Sequence, residues 1–324
     1  MFQRNRGNPL EAELLIIDET SMIDTELMDH LLEAVGSSAR LILVGDVDQL
    51  PSVGPGMVLR DLIQSEMIPV VQLEKIFRRE KNSLITNIAH DVRLGNVIKL
   101  PRHENKEELK PFYFIREDDP EKIVKKVVEM VSDKIPNRFN FDRIEDIQVL
   151  TPMHRGITGS INLNKNLQDE LNPDGIGFKH RDIWFKTGDK IMQQSNNYEK
   201  EIFNGDMGKI IDCDPKSQAI QVAFDQGTVR YTTKEIDQLA LAYAISVHKS
   251  QGSEYPALIL PLTTHHYMML QRNLLYTALT RGKQLVILIG MEKAVAMAVK
   301  NEEAITRHTS LPRHFREMKE LMAL

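Results

Sequence analysis

The chain has 324 residues, of which 42% are hydrophobic and 27% are charged, and its formal net charge is −5. This length predicts two or three domains, and the negative charge excludes nucleic-acid binding through overall basic attraction. Its single cysteine, Cys213, excludes an internal disulfide and fits a reducing cytoplasm. No apolar run approaches the roughly 20 residues that span a bilayer, so we expect a cytoplasmic protein with no membrane partner.

The first part of the chain alternates short apolar runs with helical patterns. Leu14 to Ile17 and Leu41 to Val44 are continuous apolar runs, which predict strands buried on both faces of a parallel sheet. Between them, Asp24 is placed to cap a helix that ends near Gly36. Three further elements are predicted: a helix over 57–65, a short strand over 70–73 and a helix over 83–94 closed by Gly95. We place this first domain at 1–94.

The second domain is predicted to be split by an insert. Apolar runs and helical spacing continue over 95–177 and again over 238–324, which predicts a second α/β unit with a parallel sheet. Between them, over 178–237, the period changes to two, as in the alternation of Ile220 and Val222. This stretch should be a small β insert, and the fold class should be α/β.

Two acids follow the first predicted strand directly. Asp18 and Glu19 occupy the position at which nucleotide hydrolases hold Mg²⁺ and orient the attacking water. Asp18 is therefore the candidate for holding Mg²⁺, and Glu19 is the candidate for orienting or deprotonating water. The phosphate-cradling pattern G-x-x-x-x-G-K-[ST] does not occur in the sequence.

The remaining motifs form an ordered set. They are Gly45-Asp46-Val47-Asp48-Gln49-Leu50-Pro51, Ile76-Phe77-Arg78-Arg79, Val247-His248-Lys249-Ser250-Gln251-Gly252 and Tyr276-Thr277-Ala278-Leu279-Thr280-Arg281. With the two acids, this set resembles the RecD-like DNA helicases of helicase superfamily 1 from about Leu14 to about Gly290. Since that family carries a P-loop and a regulatory region at its amino end, we interpret the chain as a carboxy-terminal fragment.

The resemblance implies the fold and the nucleotide site. It implies two RecA-like domains, the first of them truncated, with an SH3-like barrel as the insert. It also implies ATP and Mg²⁺ as cofactors, with Gln49 as the γ-phosphate sensor and Arg281 as an arginine finger from the other domain. Arg78, which fits the register better than Arg79, and Glu254 would approach the nucleotide.

Two segments are candidates for binding nucleic acid. The resemblance implies that the segment after residue 246 is the family's coupling motif, which touches DNA at one end and nucleotide at the other. Its candidate contacts to DNA are His248, Lys249, Ser250 and Gln251. Thr151, His154 and Arg155 follow the carboxyl end of another predicted strand and could grip the phosphodiester backbone.

The resemblance implies a motor that travels 5′-to-3′ on single-stranded DNA and unwinds duplex DNA in repair or recombination. Single-stranded DNA and its junctions with duplex would be partners, with repair or single-strand-binding proteins as possible others. Without the phosphate loop, this chain alone should show little or no ATPase. Two alternatives stay open: a DNA-binding or interaction fragment without turnover, and the helicase part of a conjugative relaxase, which an upstream nicking domain with a catalytic tyrosine would identify.

Overall fold

The computed structural model describes residues 3–73, 84–98, 100, 109–302 and 309–322. Its α-helices are α1 (Thr25–Ala34), α2 (Val58–Ser65), α3 (Leu84–Arg93), α4 (Pro120–Glu129), α5 (Ile135–Phe139), α6 (Ser160–Leu171), α7 (Arg272–Arg281), α8 (Glu292–Lys300) and α9 (Leu311–Met322). A π-helical turn, Met130–Lys134, joins α4 to α5. In the part of the chain that the structure describes, no helix is long and apolar enough to cross a membrane.

Within the described residues, the strands belong to four sheets. They are β1 (Leu14–Ile17), β2 (Arg40–Leu43), β3 (Phe112–Arg116), β4 (Ile147–Thr151), β5 (Gly177–His180), β6 (Ile183–Lys186), β7 (Lys190–Gln193), β8 (Met207–Asp214), β9 (Ala219–Phe224), β10 (Gly227–Tyr231), β11 (Leu239–Leu241), β12 (Ala244–Ser246), β13 (Tyr255–Leu262) and β14 (Gly282–Gly290). The chain forms two compact units, Met1–Lys81 with Asn301–Leu324 and Asn82–Lys300. These bounds differ from the predicted division because α3 packs on α7 and α9 packs on α2.

Unit 1 contains the parallel pair β1 and β2, aligned from Leu14↔Arg40 to Ile17↔Leu43. As predicted, Asp24 caps α1, because its side chain accepts a hydrogen bond from the Leu27 amide. The expectation of burial on both faces was wrong: Ile17 and Leu43 pack in a small core, whereas Ile16 on the other face is 61% exposed. In the described residues α1 and α2 supply that core, and it covers one face of the pair.

The strand predicted over 70–73 was also wrong. These residues have no regular structure, and Val71 and Leu73 are 85% and 88% exposed. A strand needs a neighbour to pair its backbone groups, and none of the sheets that the described residues form includes this segment. Its β-branched composition was therefore not sufficient evidence for a strand.

Unit 2 is built on a parallel sheet with strand order β12-β4-β13-β14-β3. One face is covered by α4 and α6, whose Ile123 and Leu163 join a core with Ile259 and Ile287. The other face carries α7 and α3. Helices on both faces explain why β4 and β13 are almost entirely buried, as their apolar runs predict.

The insert forms a hairpin, β5-β6, and an antiparallel sheet with order β10-β9-β8-β7-β11. Alternate residues of β9, including Ile220 and Val222, enter its core as the period of two predicts. The sheet extends past the predicted end of the insert, because β11 pairs antiparallel with β7. The predicted insert is thus present, and its last strand ends at Leu241.

A buried polar network fixes the insert to the rest of unit 2. The Asp189 carboxylate, which is fully buried, accepts hydrogen bonds from Gln168 Nε2 at 2.6 Å, Asn172 Nδ2 at 2.7 Å, the Lys186 amide at 2.8 Å and Tyr243 Oη at 2.9 Å. Burial raises the pKa of Asp189. Since Tyr243 directly precedes β12, the network ties the insert to the strand that leads into the 247–251 segment.

Candidate functional site

In unit 1, the two candidate acids lie where β1 ends. Asp18 is exposed and accepts a hydrogen bond from the Glu19 amide at 2.7 Å, while Glu19 adopts a left-handed conformation with φ 52°. The next residue joins the two strand ends, because the Thr20 amide and hydroxyl both donate to the Val44 carbonyl, at 2.9 and 2.7 Å. The acids are therefore held at the carboxyl edge of the parallel pair.

Gln49 lies on the loop that follows β2, also at this edge. The Asp46 carboxylate shapes the loop, since it accepts hydrogen bonds from the Asp48 amide at 3.0 Å and from Gln49 Nε2 at 3.2 Å. Leu50 is buried and anchors the loop to unit 1. Gln49 is half-buried. Its side-chain amide donates to the Asp46 carboxylate, an acceptor that a bound ligand could replace.

The Gly-Pro-Gly part of this loop packs tightly against the start of α1. A Cβ atom on Gly54 would lie 1.8 Å from Asp24 Oδ2, and one on Gly56 would lie 2.1 Å from Thr25 Oγ1. Gly56 also has φ +92°, which favours glycine. These glycines let the loop reach the helix start, and so they fix the position from which Gln49 projects.

The residues present fit a magnesium ion held mainly by water and phosphate. Mg²⁺ usually keeps several waters and takes one or two protein carboxylates beside substrate phosphates. A single exposed aspartate at a strand end, Asp18, matches that requirement. Within the described ranges, no group of three or more His, Cys, Asp or Glu side chains could hold a metal ion by itself.

In unit 2, the candidate DNA residues gather at the carboxyl edge of the larger sheet. β12 and β4 are adjacent and parallel, and their last residues, Ser246 and Thr151, are partners in register. The segments that follow these two strands therefore start side by side. Ser246 caps the turn over Val247–Ser250, because its hydroxyl accepts a hydrogen bond from the Lys249 amide at 3.4 Å.

Three side chains at this edge can present positive charge or hydrogen-bond donors to a ligand. His154 and Arg155 are exposed, and His154 Nδ1 lies 3.0 Å from Ser160 Oγ. Lys249 is half-buried, and its ammonium donates to Gln194 Oε1 of the insert. Burial lowers the pKa of Lys249.

The other candidates at this edge are less accessible. Burial, and to a smaller extent the charge of His154, lowers the pKa of His248, so this ring is biased toward its neutral form. Thr151 and Ser250 are fully buried, and their hydroxyls donate to the carbonyls of Thr158 at 2.8 Å and Val247 at 2.7 Å. These two residues shape the turns and do not reach a ligand in this conformation. Gln251 is half-buried.

Glu254 and Arg281 lie at the opposite edge of the same sheet. They directly precede β13 and β14, which start as a pair at Tyr255↔Gly282. Arg281 is 3% exposed, and its Nη1 donates to the Ser253 carbonyl at 3.3 Å. Glu254 Oε2 lies 3.6 Å from Lys283 Nζ. The segment from 247 to 254 therefore crosses from the carboxyl edge, where the DNA candidates lie, to the amino edge.

Arg78 falls outside the described residues. Two polar residues that the sequence did not single out also belong to the carboxyl edge. They are Ser160, at the start of α6, and Gln194, which directly follows β7. Gln194 carries no motif, and its partner Lys249 is 55 positions away along the chain. The sequence holds no signal for that contact.

Comparison with protein families matches three models along the chain. An AAA domain model matches residues 4–110, a model of the ATP-dependent RecD-like DNA helicase SH3 domain matches residues 163–224, and a UvrD-like helicase C-terminal domain model matches residues 241–289. The SH3 match starts within α6, before the predicted insert at 178–237. The order of the three matches is the predicted order of motor domain, insert and motor domain.

Relatives and solved structures agree with these matches. The ATP-dependent RecD2 DNA helicase of Deinococcus radiodurans is 34% identical over 310 residues, which cover 96% of this chain and 41% of the relative. The RecBCD enzyme subunit RecD of Mycobacterium tuberculosis is 29% identical over 312 residues, covering 92% of this chain and 53% of the relative. The chain thus spans about half the length of these two relatives or less.

Among solved structures, Pif1 helicase from Bacteroides in complex with ADP-AlF3 and ssDNA superposes with a TM-score of 0.52. It is 18% identical and the match covers 97% of this chain and 76% of that one. A likeness at this identity concerns the fold. With the SH3 match, it confirms the predicted α/β architecture of RecA-like sheets and an SH3-like insert.

Proposed function

Because the chain belongs to the RecD-like DNA helicases, we propose that it forms part of an ATP-dependent motor that moves 5′-to-3′ along single-stranded DNA and unwinds duplex DNA in repair or recombination. The observation that carries the proposal is the segment from 247 to 254, which runs from one edge of the unit 2 sheet to the other. One polypeptide segment thereby connects the candidate DNA contacts with Glu254 and the loop held by Arg281.

On the DNA side, Lys249, His154 and Arg155 would meet the phosphate backbone. Their charges lie together at the carboxyl edge, although the whole chain is acidic, so contact is local and does not depend on net charge. Single-stranded DNA and its junctions with duplex are the proposed partners, and repair or single-strand-binding proteins could join them. The division into domains at 1–94, 95–177 with 238–324, and 178–237 is proposed on the same family pattern.

On the nucleotide side, unit 1 would handle the metal and the water. Asp18 would hold Mg²⁺ through its waters, Glu19 would orient or deprotonate the attacking water, and Gln49 would hydrogen-bond the γ-phosphate. When bound, Mg²⁺ neutralises phosphate charge and ATP supplies the phosphoryl group that is transferred. A cytoplasmic location is proposed because ATP and chromosomal DNA occur together there.

The second unit would contribute cationic and acidic groups. Arg281 would pair with phosphate oxygens as an arginine finger, and Glu254 would approach the nucleotide. Arg78 would approach it from the first domain. Arg281 now bonds to the Ser253 carbonyl, so its engagement would release the 251–254 turn. That exchange of partners links phosphate contact at Arg281 to the segment that carries Lys249.

The enzymatic test compares the 324-residue chain with the product of the complete reading frame. The complete product should hydrolyse ATP when single-stranded DNA is added and should unwind duplexes with a 5′ tail. Glu19→Gln should lower the rate by about 10²- to 10⁴-fold, the usual contribution of a general base. Glu13→Gln, which changes an exposed acid just before β1, is the matched control. Full activity in Glu19→Gln would remove the proposed role.

The 324-residue chain alone should bind DNA with little turnover, because no phosphate-cradling pattern occurs in it and loss of one preorganised transition-state donor already costs about 10²- to 10³-fold. Lys249→Ala should weaken binding to all DNA sequences. It should also reduce the magnitude of the slope of log K against log salt concentration by about one. Lys216→Ala, an exposed lysine beyond β8, should change neither. DNA-stimulated hydrolysis by this chain alone, at a rate typical of helicases, would refute the expectation.

A further inference from the structure

A cavity of about 160 Å³ opens beside Lys249, where the insert meets β12 and α6. Its floor is apolar and buried, formed by Met192 of β7 with Ala244 and Ile245 of β12. Two partly exposed isoleucines stand at its mouth, Ile161 at 63% and Ile183 at 39% exposure.

The rim of the cavity is polar and carries positive charge. Lys249, His154, Ser160 and Gln194 line it, and no aspartate or glutamate from the part of the chain that the structure describes does so. An anionic group attached to an apolar group in the cavity would therefore remain near Lys249 and outside the floor. Gln194 Oε1 accepts from Lys249, its Nε2 donates to the Met192 carbonyl at 3.3 Å, and Ser160 Oγ lies 3.0 Å from His154 Nδ1. A bound ring would exchange hydrogen bonds with these partners.

The volume limits what can enter. An apolar cavity of about 150 Å³ takes one benzene ring, so this cavity holds one six-membered ring. Sites for whole cofactors or drug-sized ligands are typically about 300 to 1,000 Å³, which makes this cavity too small for ATP. A purine, with two fused rings, exceeds this volume and would enter only in part.

We infer that this cavity takes one unstacked pyrimidine base of single-stranded DNA, with the adjoining phosphate at Lys249 and His154. The inference rests on the proposed function and adds a base subsite to it. Bases of an intact duplex are stacked and paired, so only a single strand can deliver a base here. A free pyrimidine nucleotide has the same chemistry, and the experiment separates the two sources.

The test measures fluorescence anisotropy with oligothymidine and oligoadenosine strands of equal length, for the 324-residue chain and two variants. Ala240→Leu adds bulk to the cavity lining from β11, and Ala223→Leu makes the same change on β9, outside the lining. At about 25 cal/mol for each Å² of apolar surface removed from water, covering one ring face is worth about fivefold or more in affinity. Ala240→Leu should weaken oligothymidine binding by at least that factor and leave oligoadenosine binding unchanged, whereas Ala223→Leu should change neither.

A cross-linking measurement covers the case in which Ala240→Leu does not fold. In the wild-type chain, a strand that carries one photoreactive 4-thiothymidine should cross-link to the peptides that contain Ile183 or Met192. Cross-links confined to other peptides would overturn the inference. Thymidine monophosphate should compete only weakly, and competition as strong as that of the oligothymidine strand would assign the cavity to free nucleotides.

Two failures can be told apart. If both strands bind and Ala240→Leu affects them equally or not at all, the base subsite is wrong and DNA binding at the carboxyl edge stands. If neither strand binds to the wild-type chain, the proposed DNA contacts fail and the base subsite fails with them.

Discussion

Between about pH 8 and pH 10.5 the stability of the wild-type protein should rise relative to that of a variant in which methionine replaces Lys190. Lys190, the first residue of β7, is buried, and its ammonium donates to the Ile144 carbonyl at 2.7 Å and lies 3.4 Å from the Ile147 carbonyl. Burial lowers its pKa from 10.5 to about 8, and the charges of nearby acids, led by Glu145, only partly offset this.

The sign follows from proton binding. Between pH 8 and 10.5 the unfolded chain keeps the Lys190 proton while the folded chain loses it, so the unfolded state binds more protons and stability rises with pH. Below pH 8 both states are protonated, and the full cost of the buried charge is present. The two pKa values differ by 2.5, and at about 1.4 kcal/mol for each pKa unit the rise is about 3 kcal/mol.

The assay is urea unfolding at a series of pH values, followed by the fluorescence of Trp184, the single tryptophan, which lies in β6 of the insert. Lys209→Met is the control, because Lys209 is exposed and lies opposite Lys190 in the β7-β8 register. The wild-type and Lys209→Met curves should diverge from the Lys190→Met curve above pH 8. Parallel curves for all three proteins would refute the assignment of a buried charge.

Three further predictions concern internal contacts. Asp189→Asn should lower the free energy of unfolding by about 2 to 3 kcal/mol in urea titrations, because a buried acceptor of four hydrogen bonds becomes partly a donor; the exposed Asp182→Asn should change it by less than about 0.5. Gly54→Ala should lower the melting temperature, since its Cβ would overlap Asp24 Oδ2, whereas Gly36→Ala, with no atom within 4 Å of the added Cβ, should not. Thr151→Val should cost about 1 to 3 kcal/mol of stability, because the Thr158 carbonyl loses its donor, yet leave the salt dependence of DNA binding unchanged; a changed salt slope would show direct phosphate contact.

The elements of unit 2 could be predicted because its strands are apolar runs that end at polar or glycine residues. Ile147–Thr151 and Tyr255–Leu262 are buried throughout, and a parallel sheet between helical layers needs that composition. In unit 1 the same composition led to the wrong prediction that both faces of the sheet are buried. Ile16 lies in an equally apolar run, but the described residues cover one face of its sheet and leave it exposed. Local sequence does not say how many layers surround a strand.

The residues of the candidate site could be predicted from their types and positions in the sequence. Their contacts could be predicted only in part. Asp18 and Glu19 follow a strand, and that position alone places them at a carboxyl edge. The accessibility of Thr151 and Ser250 could not be predicted, because a hydroxyl can serve a backbone carbonyl as readily as a phosphate. The contact of Gln194 with Lys249 depends on how the insert packs, which no local pattern encodes.

The packing of the insert bears on how the proposed motor would use its DNA contacts. The Asp189 network holds the insert to Tyr243, directly before β12, and Gln194 holds it to Lys249, in the turn that follows β12. The chain on both sides of this three-residue strand is thus bonded to the same small domain. A movement of the 247–254 segment, started by release of Arg281 from Ser253, would either carry the insert along or break the Gln194 contact. Gln194→Ala should therefore weaken the dependence of DNA affinity on bound nucleotide in the complete product more than it weakens affinity itself. Equal loss in both quantities would mean that Gln194 only supports Lys249.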